Sequence, residues 1–426
     1  MKGFLIVILY MAAALIPVIY ASLFGYPYRN IVYEMGRNFA LLGFMILVLQ
    51  VFLASRIRWI ERPFGFDILI RYHRHMGIFA LLLVLSHPLL LASGSGNWGL
   101  VTGLNVSWHI WLGRVALVLL AVSIILSVYQ RPLGLTFERW RIIHDVLSPL
   151  AIVFAFIHSY LTGMDLNLAA MRVMWITGLA AVFLTFAYHR IIRPVLLRKH
   201  AYRVTEVIPE AEGVWTVKLA PQKGGPVFDY LPGQFQFITF FRGRNLPEEE
   251  HHWTISSSPA RREYVSSTIK ALGDFTSTIG ETRPGDTAAV HGAFGRFSYV
   301  LHPQERDLVF IAGGIGITPL MSMIRHMRDT KDNRSVLLLY ANRNEEQIVF
   351  ARELAEIEAG GCLLYTSDAA DDLLCVDLGG RRIIKKKKTK IPNAYPLHIT
   401  TPHTTQTQQQ HTRPPDTNTP HHDTPT

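Results

Sequence analysis

Cysteine is nearly missing from this chain of 426 residues: there are two, Cys362 and Cys375, both late. A disulfide framework, a thiolate nucleophile and a Cys-ligated metal are therefore excluded from everything before them. Cations are missing in places too. None occurs from Ala92 to Trp108, and long apolar runs fill the first 192 residues, with charge gathered mainly afterwards. The 49% hydrophobic fraction is ordinary for a globular protein, yet here it averages a membrane half and a soluble half. A net charge of +10 could suit nucleic acid. The Lys and Arg cluster between the apolar runs instead of along one stripe, so no nucleic-acid partner is expected.

Six apolar segments, near 3–24, 33–54, 70–92, 107–129, 139–161 and 172–192, are long enough for a hydrocarbon core of about 30 Å. The first could serve as a signal peptide with Lys2 as its basic end. Its apolar run from Phe4 to Phe24 is long for that, and it is read as a span. Arg56, Arg58, Arg62 and Arg71 lie between spans two and three, and Arg131, Arg139 and Arg141 between four and five. Arg190, Arg193, Arg198 and Lys199 follow span six, while the alternate loops hold only Arg29 and, at an edge, Arg172. Cations favour the inner side, so both ends are expected to be cytoplasmic, in a multi-pass protein of the plasma (bacterial inner) membrane.

Two of these spans carry histidine pairs. His73 and His87 stand fourteen residues apart, and so do His144 and His158. Fourteen residues is about four turns, which returns each pair to one helix face within roughly 40°, about 21 Å apart along the axis. Ionisable residues inside a span are expensive and are functional candidates by default. A lone intramembrane His is better read as a packing residue, and His75, His109 and His189 are read so. Two pairs with one spacing point instead to two b-type haems, each iron held between imidazoles. Both spans run from inside to outside, which pairs His73 with His144 on an inner haem and His87 with His158 on an outer one. Arg74 suits an inner haem propionate or a snorkelling cation. Arg37 suits the outer propionates or an acceptor site.

From Tyr202 the pattern becomes soluble. Val204-Thr-Glu-Val-Ile208 and Val214-Trp-Thr-Val-Lys-Leu219 alternate like strands, and turn residues punctuate them, which predicts an antiparallel β-barrel to about Tyr299. Asp307-Leu-Val-Phe-Ile-Ala312 reads as a buried strand, followed by Gly313-Gly-Ile-Gly-Ile-Thr-Pro319 and a helical run to Met327. A second strand, Ser335-Val-Leu-Leu-Leu-Tyr340, and a helix around 348–358 begin a βαβ series. Beyond Gly360 come four lysines at 385–388 and a Thr/Pro/His/Gln-rich run at 400–426, with little to bury. Cys362-Leu-Leu-Tyr-Thr-Ser-Asp-Ala-Ala-Asp371 resembles translated adapter sequence, and a non-native tail is expected over 362–426.

Four soluble blocks occur in order: Leu231-Pro-Gly-Gln-Phe235, His251-His-Trp-Thr-Ile-Ser-Ser-Ser-Pro259, Ile269-Lys-Ala-Leu-Gly-Asp-Phe-Thr276 and His291-Gly-Ala-Phe-Gly-Arg-Phe297. With the paired histidines, they make residues from about 35 to 358 resemble the ferric reductase and NADPH-oxidase-like family, with its ferredoxin-reductase-type flavin domain. The family's His-Pro-Phe-Thr motif corresponds to His251-His252-Trp253-Thr254, which keeps an aromatic at Trp253. The last block departs from the usual Gly-Pro-Tyr-Gly through Ala293 and Phe294, but keeps both glycines and the final Phe. The resemblance implies FAD held by His251, Trp253, Thr254, Ile255, Ser256, Lys270, Gly273, Asp274, Thr276, Gly292 and Phe297. Gly273-Asp-Phe-Thr-Ser-Thr278 looks like a helix start that could hold the pyrophosphate, although alone it would be an ordinary cap.

Gly313, Gly314, Gly316, Thr318 and Pro319 form a glycine loop between strand and helix, suited to the pyrophosphate of a nicotinamide dinucleotide. Arg343, after the second strand, suits the 2′-phosphate of NADPH, with NADH the other donor considered. The family's later Cys-Gly motif and C-terminal aromatic are not recognisable, so weak nucleotide binding is expected.

The expected organisation is a six-helix transmembrane haem bundle (1–197), an antiparallel β-barrel FAD domain (198–302), a truncated α/β nucleotide-binding domain (303–361) and the tail. The expected activity passes electrons from NAD(P)H through FAD and two haems to an extracytoplasmic acceptor, ferric iron or dioxygen. No side chain is needed as acid or base in the membrane steps. Two other classes fit less of the chain: a haem-anchoring subunit that serves a partner protein, and a membrane sensor without enzymatic activity.

Overall fold

The structure, a computed structural model, describes residues 2–26 and 30–360, together with the backbone of 364–369. Among the described residues, six helices are long and apolar enough to cross a membrane: Lys2–Phe24, Ile31–Ala54, Phe66–Ser95, Trp108–Val128, Phe137–Thr162 and Ala169–Lys199. Local chemistry sets their ends. Asn30 accepts the Val32 N–H at 2.8 Å to start span two, and Thr136 caps span five through the Arg139 N–H. Span three stops at Gly96, whose φ of +72° is the left-handed conformation that glycine adopts without strain.

Two boundaries differ from expectation. Span three begins four residues early, at Phe66, after a separate short helix, Arg58–Phe64. Span six does not stop near 192, because a π-helical turn, Tyr188–Ile192, carries it on to Lys199. Such turns are uncommon and often mark functional places.

Span two packs along span three, and span four along span five. Between them lies a core that includes Phe44, Ile46, Ala80, Leu120, Ile152 and Trp175. Phe44 and Trp175 stack at 5.1 Å, and Trp175 Nε1 donates to Ser159 Oγ at 3.0 Å. Outward side chains such as Leu82, Val118 and Leu184 are apolar and exposed, as a lipid-facing surface requires.

The barrel comprises β1 (Tyr202–Ala211), β2 (Val214–Pro221), β3 (Phe235–Phe241), β4 (Glu250–Thr254), β5 (Val265–Lys270) and β6 (Thr287–Phe294). All pairings are antiparallel, in the order β4-β3-β6-β1-β2-β5. A bridge between Ile255 and Ser267 brings the continuation of β4 onto β5 and closes the barrel. Closure removes exposed edges, and Val217, Leu219, Ile238, Phe240 and Ile255 fill the interior.

A second sheet holds β7 (Asp307–Gly313), β8 (Ser335–Asn342) and β9 (Leu364–Ala369), parallel and in that order. The nucleotide-binding region was expected to end at 361, after two strands. It has a third, and β9 lies inside the stretch read as a non-native tail; positions 370–426 of that expectation lie outside the described residues. The run 307–312 was also read as a buried strand. Its Phe310 and Ala312 pack with Ile317, Leu320 and Ile324 of the helix Ile317–Thr330, but Val309 and Ile311 on the opposite face are 60% and 75% exposed. An apolar run cannot by itself tell which of its faces finds a partner.

Candidate haem and flavin sites

The fold brings the four span histidines together in two layers. The ring centroids of His73 and His144 are 6.1 Å apart, and those of His87 and His158 are 6.5 Å apart. A metal bonded to two imidazole nitrogens at about 2 Å each would separate the centroids by roughly 6 Å. Three of the rings are also oriented by main chain. The Nδ1 atoms of His73, His87 and His158 bond the carbonyls of Gln50 (3.2 Å), Gly36 (3.0 Å) and His109 (2.8 Å). A carbonyl only accepts, so each Nδ1 carries the proton and each Nε2 keeps its lone pair for a metal. His144 instead packs on Trp140, with centroids 5.5 Å apart.

The space around the rings suits a haem. Gly77 lies one turn beyond His73 on the same face, and a Cβ built there meets nothing within 4 Å. At Gly113 in span four, a Cβ would lie 2.7 Å from His158 Nδ1. Gly36 lets spans two and three approach, since its Cβ would fall 2.9 Å from that of Leu90. None of these glycines was singled out from sequence, where nothing distinguishes them from other small residues in a span. His109, read as a packing residue, contributes its carbonyl.

Arg37 is buried and pairs with Asp165 at 3.6 Å, while also donating to the carbonyl of Tyr26 at 3.3 Å. Asp165, which follows span five, was missed in the sequence reading. Burial pushes its carboxyl above the usual range, against the pull of Arg37. Arg74 is exposed, about 100° around the helix from His73.

The flavin blocks meet on the barrel. His251, Trp253 and Thr254 lie on β4, with the His251 and Trp253 rings against Phe275, at 4.3 and 6.0 Å. Lys270 ends β5, and beyond it Ala271, Leu272, Gly273, Asp274 and Ser277 line an open shelf. The helix there is one turn, Asp274–Ser277. Thr276 Oγ1 accepts the N–H groups of Leu272 and Gly273, at 2.9 and 3.0 Å, and Asp274 takes that of Phe275. This block caps itself here, so these N–H groups already have partners.

Other members of the expected set are structural. Ile255 and Ser256 are fully buried. The Ser256 N–H donates to Ser266 O, its carbonyl accepts from Arg325, and its hydroxyl meets those of Ser266 and Thr268 at 3.0 Å. Gly292 is also buried, and a Cβ there would press on Gln236 and Phe228 at 2.9 Å. Its small size serves barrel packing. Phe297 is largely exposed.

In the nucleotide-binding region, Gly313, Gly314 and Gly316 face open space, and Gly314 has a φ of +49°. Tyr340 on β8 donates to the Gly314 carbonyl at 3.0 Å and braces this loop. Thr318 is buried and bonds Ile315 O at 3.2 Å, and Pro319 stands in the first helical turn, where its missing N–H costs nothing. Arg343 is exposed just past the end of β8.

The junction between bundle and barrel was not foreseen. Arg56 grips both Glu250 oxygens, at 3.0 and 2.9 Å, and its guanidinium lies 3.4 Å from the Phe237 ring centroid. Burial raises the Glu250 carboxyl, but Arg56, Arg141 and Arg193 together bring it below the usual range. Glu61 accepts the Gly295 N–H at 2.8 Å, and Arg193 bonds His291 Nδ1 at 2.7 Å. Burial, with Arg193, Arg56 and Arg58 nearby, pushes the His291 imidazole down to about 2, so it stays neutral. The loops rich in arginine are thus the ones that meet the barrel.

Comparison with known proteins agrees with this layout. Residues 39–155 match the ferric reductase like transmembrane component, and residues 310–371 match the oxidoreductase NAD-binding domain. The chain is an integral membrane protein in which a ferric-reductase-like transmembrane segment is followed by a match to an oxidoreductase NAD-binding domain. It is 28% identical over 199 residues to the reductase component of propane 2-monooxygenase from Rhodococcus jostii, covering 42% of this chain and 52% of that one. It is 34% identical to the glycine betaine monooxygenase reductase subunit of Chromohalobacter salexigens, covering 37% of this chain and 43% of that one. The chain thus spans about half the length of these curated relatives. Among solved structures, it is similar to the FAD/NAD-binding domain of a nitric oxide dioxygenase from Vibrio cholerae. That similarity has a TM-score of 0.37 and 22% identity, over 42% of this chain and 81% of that one.

Proposed function

We propose that the chain is a transmembrane oxidoreductase that moves electrons from cytoplasmic NAD(P)H to an extracytoplasmic acceptor, ferric iron or dioxygen. Residues 1–197 hold two b-type haems, 198–302 hold FAD, and the unit that begins at 303 receives the nucleotide. Bound flavin would supply the link between two-electron hydride chemistry and the single-electron chemistry of haem. His73 and His144 would hold the iron of the inner haem, and His87 and His158 that of the outer one. The observation that carries this reading is the pair of histidine layers, 6.1 and 6.5 Å between centroids, with three Nδ1 atoms committed to carbonyls.

The chain's own part is to orient and to exclude water. Carbonyls fix the ligand tautomers, and apolar spans keep solvent from the layers. His251, Trp253 and Thr254 present an aromatic and polar surface to the flavin, and the 313–319 loop lets main chain approach a pyrophosphate. The test is haem content and spectrum. Wild type is expected to carry two low-spin bis-imidazole haems per chain, with the outer one lost in His87→Ala or His158→Ala. Unchanged haem in all four single His variants would refute the proposal.

A further inference from the structure

We propose that Glu250 is a positioning residue that seats the flavin barrel on the two elements supporting the inner histidine pair; this rests on the electron-transfer reading above. Glu250 opens β4 and directly precedes His251, Trp253 and Thr254. Its carboxylate takes both terminal nitrogens of Arg56, at 3.0 and 2.9 Å, and lies 3.8 Å from Arg141 Nη1. Arg56 follows span two, the helix whose Gln50 carbonyl orients His73. Arg141 lies in span five, about one turn before His144. One carboxylate therefore ties the flavin strand to the supports of both inner ligands.

Packing reinforces the tie. Phe66, the first residue of the span that carries His73, meets Phe237 at 5.8 Å and Phe294 at 6.1 Å between centroids. The Arg56 guanidinium also lies over the Phe237 ring, 3.4 Å from its centroid. The neighbouring pair Arg198–Glu248 is singly bonded at 3.4 Å, with side chains 64% and 46% exposed, so solvent screens it. The Arg56–Glu250 pair is bidentate and only 19% and 26% exposed, the geometry in which a charged pair is strong and directional.

The experiment uses the full chain in detergent micelles. Flash photoreduction of the flavin is followed by haem absorbance, alongside hydrogen–deuterium exchange. Glu250→Gln is expected to slow haem reduction by up to about tenfold, since about 1.4 kcal/mol of lost pairing is a factor of ten in the docking equilibrium constant. FAD and haem content should stay at wild-type levels, while exchange over 56–65 and 250–254 rises together. Glu250→Asp, which keeps a carboxylate among Arg56, Arg141 and Arg193, should retain most of the protection. Wild-type rates and exchange in Glu250→Gln overturn the proposal. So does a rate loss matched by FAD loss with exchange unchanged, which would make Glu250 a flavin ligand. A wild-type chain that binds no haem defeats the electron-transfer reading instead, and the exchange data still decide the clamp.

Discussion

Gly113→Ala tests the outer histidine layer without touching a ligand. A Cβ at position 113 would lie 2.7 Å from His158 Nδ1 and 2.8 Å from Cε1 and Cγ. Carbon contacts settle near 3.5 Å, so the ring must retreat by roughly 0.8 Å. It cannot retreat freely, because His109 O holds Nδ1 at 2.8 Å. Overpacking of this kind costs about 1–3 kcal/mol. The better helix propensity of Ala returns at most about 1 kcal/mol. The remainder, up to about 2 kcal/mol, corresponds to as much as a roughly thirtyfold weaker hold on the outer haem. The assay is haem content with a redox titration of the purified protein. One haem should be lost or shifted in potential, and the inner one kept. Gly178→Ala is the control, since its Cβ would meet Val48 at 3.6 Å, an ordinary contact. Two haems with wild-type potentials in Gly113→Ala would show that His158 does not stand where the structure puts it.

Two further outcomes are expected. A reporter fused after Lys199 should be cytoplasmic and one inserted near Gly96 extracytoplasmic; opposite labelling of the two sites would reverse the proposed electron flow. Stability should also fall in acid, because burial, with Arg193, Arg56 and Arg58 nearby, holds the His291 imidazole near 2 in the folded chain, against 6.5 for the free residue. Its contribution is fully present above 6.5 and falls below that, by up to about tenfold per pH unit, as the freed ring takes up a proton. Thermal unfolding from about pH 7 to about pH 5 reads this slope, and His291→Phe should flatten it.

The bundle was legible because a bilayer leaves the chain few choices. Apolar length set the six spans, and a fourteen-residue repeat set which histidines meet, since helix geometry converts spacing directly into position. The barrel was legible through alternation and turns, but the roles inside it were not. Ser256 and Gly292 sit in blocks associated with flavin, yet the first is tied into a buried hydroxyl network and the second makes room for Gln236 and Phe228. A motif marks where a site is built and does not separate the residues that face the ligand from those that hold the wall.

The junction was the least legible part, and the reason is distance along the chain. Arg56 and Glu250 are 194 residues apart, as are no two groups that a local pattern could connect. Each taken alone has an ordinary explanation: Arg56 as one more inside-loop cation, Glu250 as one acid in the run Glu248-Glu-Glu250. The positive-inside pattern in fact carried more than topology. Cations that retain the loops on one side also stand where a soluble unit must dock, and an acidic run at the mouth of the flavin strand is their complement. Of the three acids, Glu250 lies on β4 and reaches Arg56 with both oxygens, whereas Glu248 precedes the strand and meets Arg198 at its exposed end. Strand register, which a charge count does not contain, therefore selects the residue that bridges barrel and bundle.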